Sequence, residues 1–192
     1  MKLSRSSSFI ATVFIALLCT SMVGSAFAES KETMRASVRA ASNETLAKLY
    51  KLAPASRKQI EQAAGYATFS NFGMKILFAG GGKGAGLAVN NKTHKEVFMR
   101  MVEVQAGLGF GAKSFRLVWV FDSQKAFDGF VNSGWEFGAQ TNASAKLGQT
   151  GASATGALVV APGVWLYQFT DDGLALELTA KGTKYYRDDE LN

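Results

Sequence analysis

The sequence predicts an α+β fold: N-terminal helices packed on a largely antiparallel, glycine-rich sheet or partly closed barrel, with one inserted short helix. Three observations carry that expectation. Apolar residues at helical spacing are confined to residues 30 to 64 and to one stretch after Asp122, and two-residue alternation dominates from Tyr66 onward. Eight of the 20 glycines lie between Ala79 and Ala112, where Gly107, Gly109 and Gly111 alternate with Leu108 and Phe110. Glycine weakens a strand, so such a run marks close approach of another group to the backbone: a packed helix, a crossing strand or a ligand such as an acyl chain. Packing is the simpler of these.

The first 28 residues read as a secretory signal. Lys2 and Arg5 supply the positive region, Phe9 to Val23 the apolar stretch, and Ala26-Phe27-Ala28 the small-x-small cleavage pattern, so cleavage is expected after Ala28. The single cysteine, Cys19, lies inside this leader behind Leu18, where lipidation would call for a small residue. The expected mature chain, residues 29 to 192, is one domain with no thiol and holds 19 basic against 15 acidic residues, a net +4. Periplasmic or secreted localisation follows, with membrane association compatible with the charge.

The elements follow in order. Met34, Val38, Leu46, Leu49 and Tyr50 form an apolar stripe, and Asn43-Glu44-Thr45 is a cap signal that predicts a break in this helix. Pro54 starts a second helix running from Ala55 to Ala64, with Gly65 as its C-terminal cap. Tyr66 to Phe69, Lys75 to Ala79, Gly86 to Val89, Glu96 to Val102, Val104 to Ala112 and Phe115 to Phe121 are the next strands. The polar stretch Asn90 to Lys95 forms a hairpin loop within that series. Leu117 to Phe121 is almost wholly apolar, which predicts a central strand covered on both faces. Asp122 and Ser123 cap a helix with Ala126, Phe127 and Phe130 on its apolar side, ending near Gly134. Residues 135 to 146 alternate strictly, Ala157 to Val160 and Val164 to Thr170 flank Pro162-Gly163, and Asp171-Asp172-Gly173 turns the chain into Leu174 to Ala180. Lys184 to Tyr186 forms the last strand.

Catalytic chemistry finds little support. His94 is the single histidine and sits in the polar hairpin loop, and zinc or copper sites usually draw on several histidines or cysteines. The acidic runs Asp171-Asp172 and Asp188-Asp189-Glu190 fall in a turn and a tail, and the first lacks the spaced oxygen ligands of a calcium loop. Gly80-Gly81-Gly82-Lys83-Gly84 fails the phosphate-loop pattern, because Gly84 stands where Ser or Thr is needed and Phe78 where the first glycine is needed. It reads as a glycine turn joining strands, whose amides and Lys83 can meet an anionic headgroup. No enzyme activity, cofactor, metal or nucleic-acid partner is expected.

The densest positive segment, residues 31 to 61, carries Lys31, Arg35, Arg39, Lys48, Lys51, Arg57 and Lys58 against Glu32, Glu44 and Glu61. A basic amphipathic helix of this kind either lies on an anionic membrane or packs on the sheet with a solvated outer face. The candidate lipid contacts are therefore Arg35, Arg39, Lys48, Lys51, Arg57, Lys58 and Lys83, with Gly107, Gly109 and Gly111 as an acyl-chain contact.

The ordered segments resemble one known family. Leu49 to Ala55, Ala63 to Phe69, the glycine-rich Ala79 to Val89, Val104 to Gly111, Val118 to Phe121, Ser133 to Gly138 and Tyr167 to Thr183 are similar to the SYLF domain, over about residues 45 to 187. Ser70 departs from it, standing where many members have proline. The resemblance implies lipid binding, including phosphoinositides in eukaryotic members. Its actin-binding label comes from yeast members and is inherited, since a secreted bacterial protein meets no actin in its own periplasm. The expectation is an exported, non-enzymatic protein binding anionic lipid at the bacterial cell envelope. The alternatives are an envelope module that binds a protein or glycan through a sheet edge, and, less well supported, a small outer-membrane barrel.

Overall fold

The computed structural model describes residues 31–70, 81–104, 116–136, 156–171, 173–174 and 183–192. The expected leader, the Lys75 to Ala79 strand, Gly107, Gly109 and Gly111, the alternation beyond Glu136, Asp172 and the stretch after Leu174 lie outside the described residues. The described residues fall into two units, divided between Ser37 and Val38.

Residues 31–52 are helical (α1), followed by α2 (Ala55–Gln62), β1 (Gly65–Ser70), β2 (Gly81–Asn90), β3 (Glu96–Val104) and β4 (Arg116–Phe121). Next come α3 (Gln124–Ser133), β5 (Trp135–Glu136), β6 (Leu158–Ala161), β7 (Val164–Thr170), β8 (Gly173–Leu174) and β9 (Thr183–Arg187). The nine described strands form one antiparallel sheet. Eight run in the order β5-β9-β3-β2-β1-β4-β7-β6, and β8 pairs on β7. The α+β expectation therefore holds.

The sheet is strongly curled, and its ring contacts prove it. In a flat sheet β9 and β4 stand four strand spacings apart, roughly 19 Å. Yet the rings of Trp119 on β4 and Tyr185 on β9 lie 5.1 Å apart, and Trp119 also meets Trp135 on β5 at 5.9 Å. Only a concave face brings those strands together. Into that concavity project Ala67 and Phe69 from β1, Met99 and Met101 from β3, and Leu117, Trp119 and Phe121 from β4. Phe127, Phe130 and Val131 of α3 complete the cluster. Ser123 caps α3 as expected, its Oγ accepting from the Ala126 amide.

Three expectations are corrected. The helix does not break at Asn43. That residue stands exposed mid-helix, because the chain keeps burying a face through Ser42, Thr45, Leu46 and Leu49. Gly65 does not cap α2, which ends with Ala63 extended, but is the first residue of β1. A Cβ at Gly65 would meet the Phe127 ring and the Val89 carbonyl oxygen, so the glycine admits close packing on the strand. The third correction concerns the glycine turn at residues 80–84: Gly81 to Gly84 belong to β2, in register with β3. A Cβ at Gly84 would meet the Met101 methyl and the Ser70 carbonyl oxygen, and one at Gly86 would meet the Phe69 ring. For these described glycines, close approach means side chains packing on bare backbone.

Candidate functional site

From Val38 onward α1 crosses the convex face of the sheet diagonally. Arg39 reaches Glu96 on β3, Ser42 meets Thr68 on β1, Glu44 meets Arg116 on β4, and Lys48 meets Asp171 beyond β7. The crossing works because α1 buries Leu46 and Leu49 in one cluster with Val118, Val120, Tyr167 and Phe169. The chain then turns sharply. Ala53 donates its amide to the Leu49 carbonyl, Pro54 fixes φ at −55°, and the Ser56 hydroxyl donates to the Ala53 carbonyl at 2.6 Å. This elbow leaves Leu52 42% exposed, between the buried Leu49 and Ala53 that anchor it.

The structure sorts the cations of this segment into two groups. Arg39 is engaged twice: its Nε donates to Glu96 Oε2 at 2.8 Å and its guanidinium lies 5.2 Å from the Phe98 ring centre. Lys48 donates to Asp171 Oδ1 at 2.7 Å and pairs with Glu44 at 3.4 Å. Arg35, in the first unit, pairs with Glu32 at 3.5 Å. Arg57 covers the Tyr50 ring at 4.2 Å, with Glu61 at 3.8 Å. Lys51 and Lys58, by contrast, are exposed, with no ion pair among the described residues. Of Lys83, only its backbone in β2 is described.

One buried cation escapes sequence reasoning altogether. The Arg116 side chain is 2% exposed, and it donates to Asp171 at 2.9 Å and to Glu44 at 3.2 Å. With Lys48 this closes a four-charge network between α1, β4 and the end of β7. The hydrogen bond from Lys48, reinforced by the Arg116 charge, holds the Asp171 carboxyl below the ordinary aspartate range. The same bond raises Lys48 above the ordinary lysine value. Burial raises Tyr50, opposed by the Arg57 charge. A charged residue flanking an apolar run was the sole signal for Arg116, and its two acids lie 72 and 55 positions away.

Around the elbow, then, Leu52 and Lys51 at the end of α1 and Lys58 in α2 are exposed, while Leu49, Ala53 and Ser56 are buried beneath the turn. This arrangement suits contact with an anionic surface. Among the described residues no group of three or more His, Cys, Asp or Glu is placed to hold a metal ion. No described helix is long and apolar enough to cross a membrane, which says nothing of spans built from strands.

No family model matches the chain. Over 157 residues it is 30% identical to Beta cell expansion factor A of Aeromonas veronii, a match covering 82% of this chain and 58% of that protein. The chain is thus a distant homologue that spans less than two thirds of that relative's length.

Proposed function

We propose that this chain is an exported, non-enzymatic member of the SYLF domain family that binds anionic phospholipid at a bacterial envelope surface. The observation that carries this reading is the α1–α2 elbow, where Leu52 is 42% exposed next to Lys51, with Lys58 exposed one turn into α2. Arg57, paired with Glu61 at 3.8 Å, adds to the same turn. Each basic side chain near an anionic leaflet contributes about 1 kcal/mol, and the attraction falls with salt. Leu52 supplies the apolar contact that charge alone lacks. Arg39 and Lys48, already neutralised by Glu96 and by Asp171 with Glu44, serve mainly to hold α1 on the sheet. The distant likeness to Beta cell expansion factor A and the ordered SYLF-like segments support the family assignment.

Flotation of the full chain with neutral phosphatidylcholine vesicles and with vesicles containing phosphatidylglycerol tests the reading. Recovery is expected with the anionic vesicles, and a Lys51→Gln/Lys58→Gln variant should float roughly tenfold less tightly. Equal recovery with neutral and anionic vesicles defeats the proposal, and co-purification with an envelope protein free of lipid favours the interaction-module alternative.

A further inference from the structure

Building on the lipid-binding reading, we infer that the β2–β3 hairpin loop is a second contact for the same anionic surface, so that α2 lies along the membrane with a basic anchor at each end. Lys92, Thr93, His94 and Lys95 are all exposed. Among the described residues neither lysine of the loop has an ion-pair partner.

The loop is rigid. Asn90 Oδ1 accepts from the amides of Lys92 and Thr93, each at 3.0 Å, and the Asn90 carbonyl accepts from the His94 amide at 2.8 Å. His94 takes φ of 56°, a left-handed conformation that the tight turn imposes. The neighbouring Asn91 fastens the loop to the end of α2. Its Nδ2 donates to the carbonyls of Ile60 at 2.6 Å and Ala63 at 2.9 Å, and its backbone amide donates to Ala64. Between this junction and the elbow lies the eight-residue α2, about 12 Å long.

These lysines do not cap α2. Cations near a helix C-terminus commonly satisfy its last carbonyls, but here Asn91 and the Ala63 amide serve the Gln59, Ile60 and Ala63 carbonyls, and neither lysine side chain makes a hydrogen bond or ion pair among the described residues. The acids at this end are also engaged: Glu61 with Arg57, Asp122 with the Trp165 indole N–H, and Asp128 with the Gln124 amide. What remains is a pair of exposed cations on a loop pinned to the C-terminal end of α2, with Lys58 within that helix and Lys51 before its N-terminal end. A plane of headgroups can meet cations at both ends of α2 at once, whereas a single phosphate meets one end.

The test compares full-length variants on phosphatidylglycerol-containing vesicles. Lys92→Gln/Lys95→Gln should bind roughly tenfold more weakly at low salt, with a flatter salt dependence. Lys184→Gln, an exposed lysine of β9, should match the unmodified chain. Lys92→Arg/Lys95→Arg should restore binding, and millimolar inorganic phosphate should not compete. Unchanged binding by the glutamine variant, alongside loss in Lys51→Gln/Lys58→Gln, overturns the second contact and leaves the elbow standing. Failure of the arginine variant to restore binding also overturns it, because charge is then not the determinant. If the unmodified chain does not discriminate anionic from neutral vesicles, the lipid-binding reading itself fails.

Discussion

Strand β4 serves two faces of unlike chemistry. Leu117, Trp119 and Phe121 point into the concave side, where Trp119 stacks on Phe121 and other rings meet edge-on or tilted: Trp119 with Phe130 at 5.3 Å, Phe121 with Phe130 at 4.9 Å, and Phe69 with Tyr185 at 4.8 Å. Arg116, Val118 and Val120 lie on the convex side beneath α1. There the contact mixes aliphatic burial with polar pairs, the Ser42–Thr68 hydrogen bond at 2.8 Å and the Arg116 network. Non-directional apolar packing closes the concave side. Directional bonds on the convex side set where α1 sits, and hence where the elbow points.

Breaking the concave side should have the largest effect. Trp119→Ala removes a fully buried indole from contact with four aromatic rings among the described residues, and should cost roughly 4 kcal/mol in urea unfolding. A cost below about 1 kcal/mol would mean the cluster is not the core of the curl.

Arg116→Ala, on the convex side, should cost about 3 kcal/mol, since it removes a buried side chain and its bonds to Glu44 and Asp171. It should also loosen α1, read as faster amide hydrogen exchange in residues 42–50 than in β4. Uniform loss of protection would remove the distinction between the faces.

Acidification gives the smallest effect. Asp171 titrates below its unfolded value, so the folded chain sheds that proton more readily. Its contribution is present above the ordinary carboxylate range, about pH 4, and is lost as pH falls through the depressed value. The carboxylate is 57% exposed, so the shift should be modest. The melting temperature of Asp171→Asn should therefore vary less with acid than that of the unmodified chain. Parallel curves would detach this group from stability.

What the sequence made legible divides along the same line. Leu117 to Phe121 announced a strand buried on both faces, and all six residues of β4 are buried. Ser123 and Gly134 marked the ends of α3, and Pro54 marked the elbow. These are local signals. The long-range features left no local mark. Asn43 looks like a cap in sequence and stays inside α1, because the sheet beneath rewards continuation through Leu46 and Leu49. Arg116 falls inside the expected Phe115 to Phe121 strand with no local sign of its partners, and only α1 and the end of β7 bring Glu44 and Asp171 over it. Within the basic segment, composition cannot separate Arg39 and Lys48, which meet acids distant in sequence, from Lys51 and Lys58, which meet none among the described residues.

That separation is the central claim, and vesicle binding of the unmodified chain across ionic strength tests it most directly. Affinity for phosphatidylglycerol-containing vesicles should fall steadily as salt screens the exposed lysines, while the folded chain stays intact. Affinity unchanged from low to high salt would contradict a site built on Lys51 and Lys58.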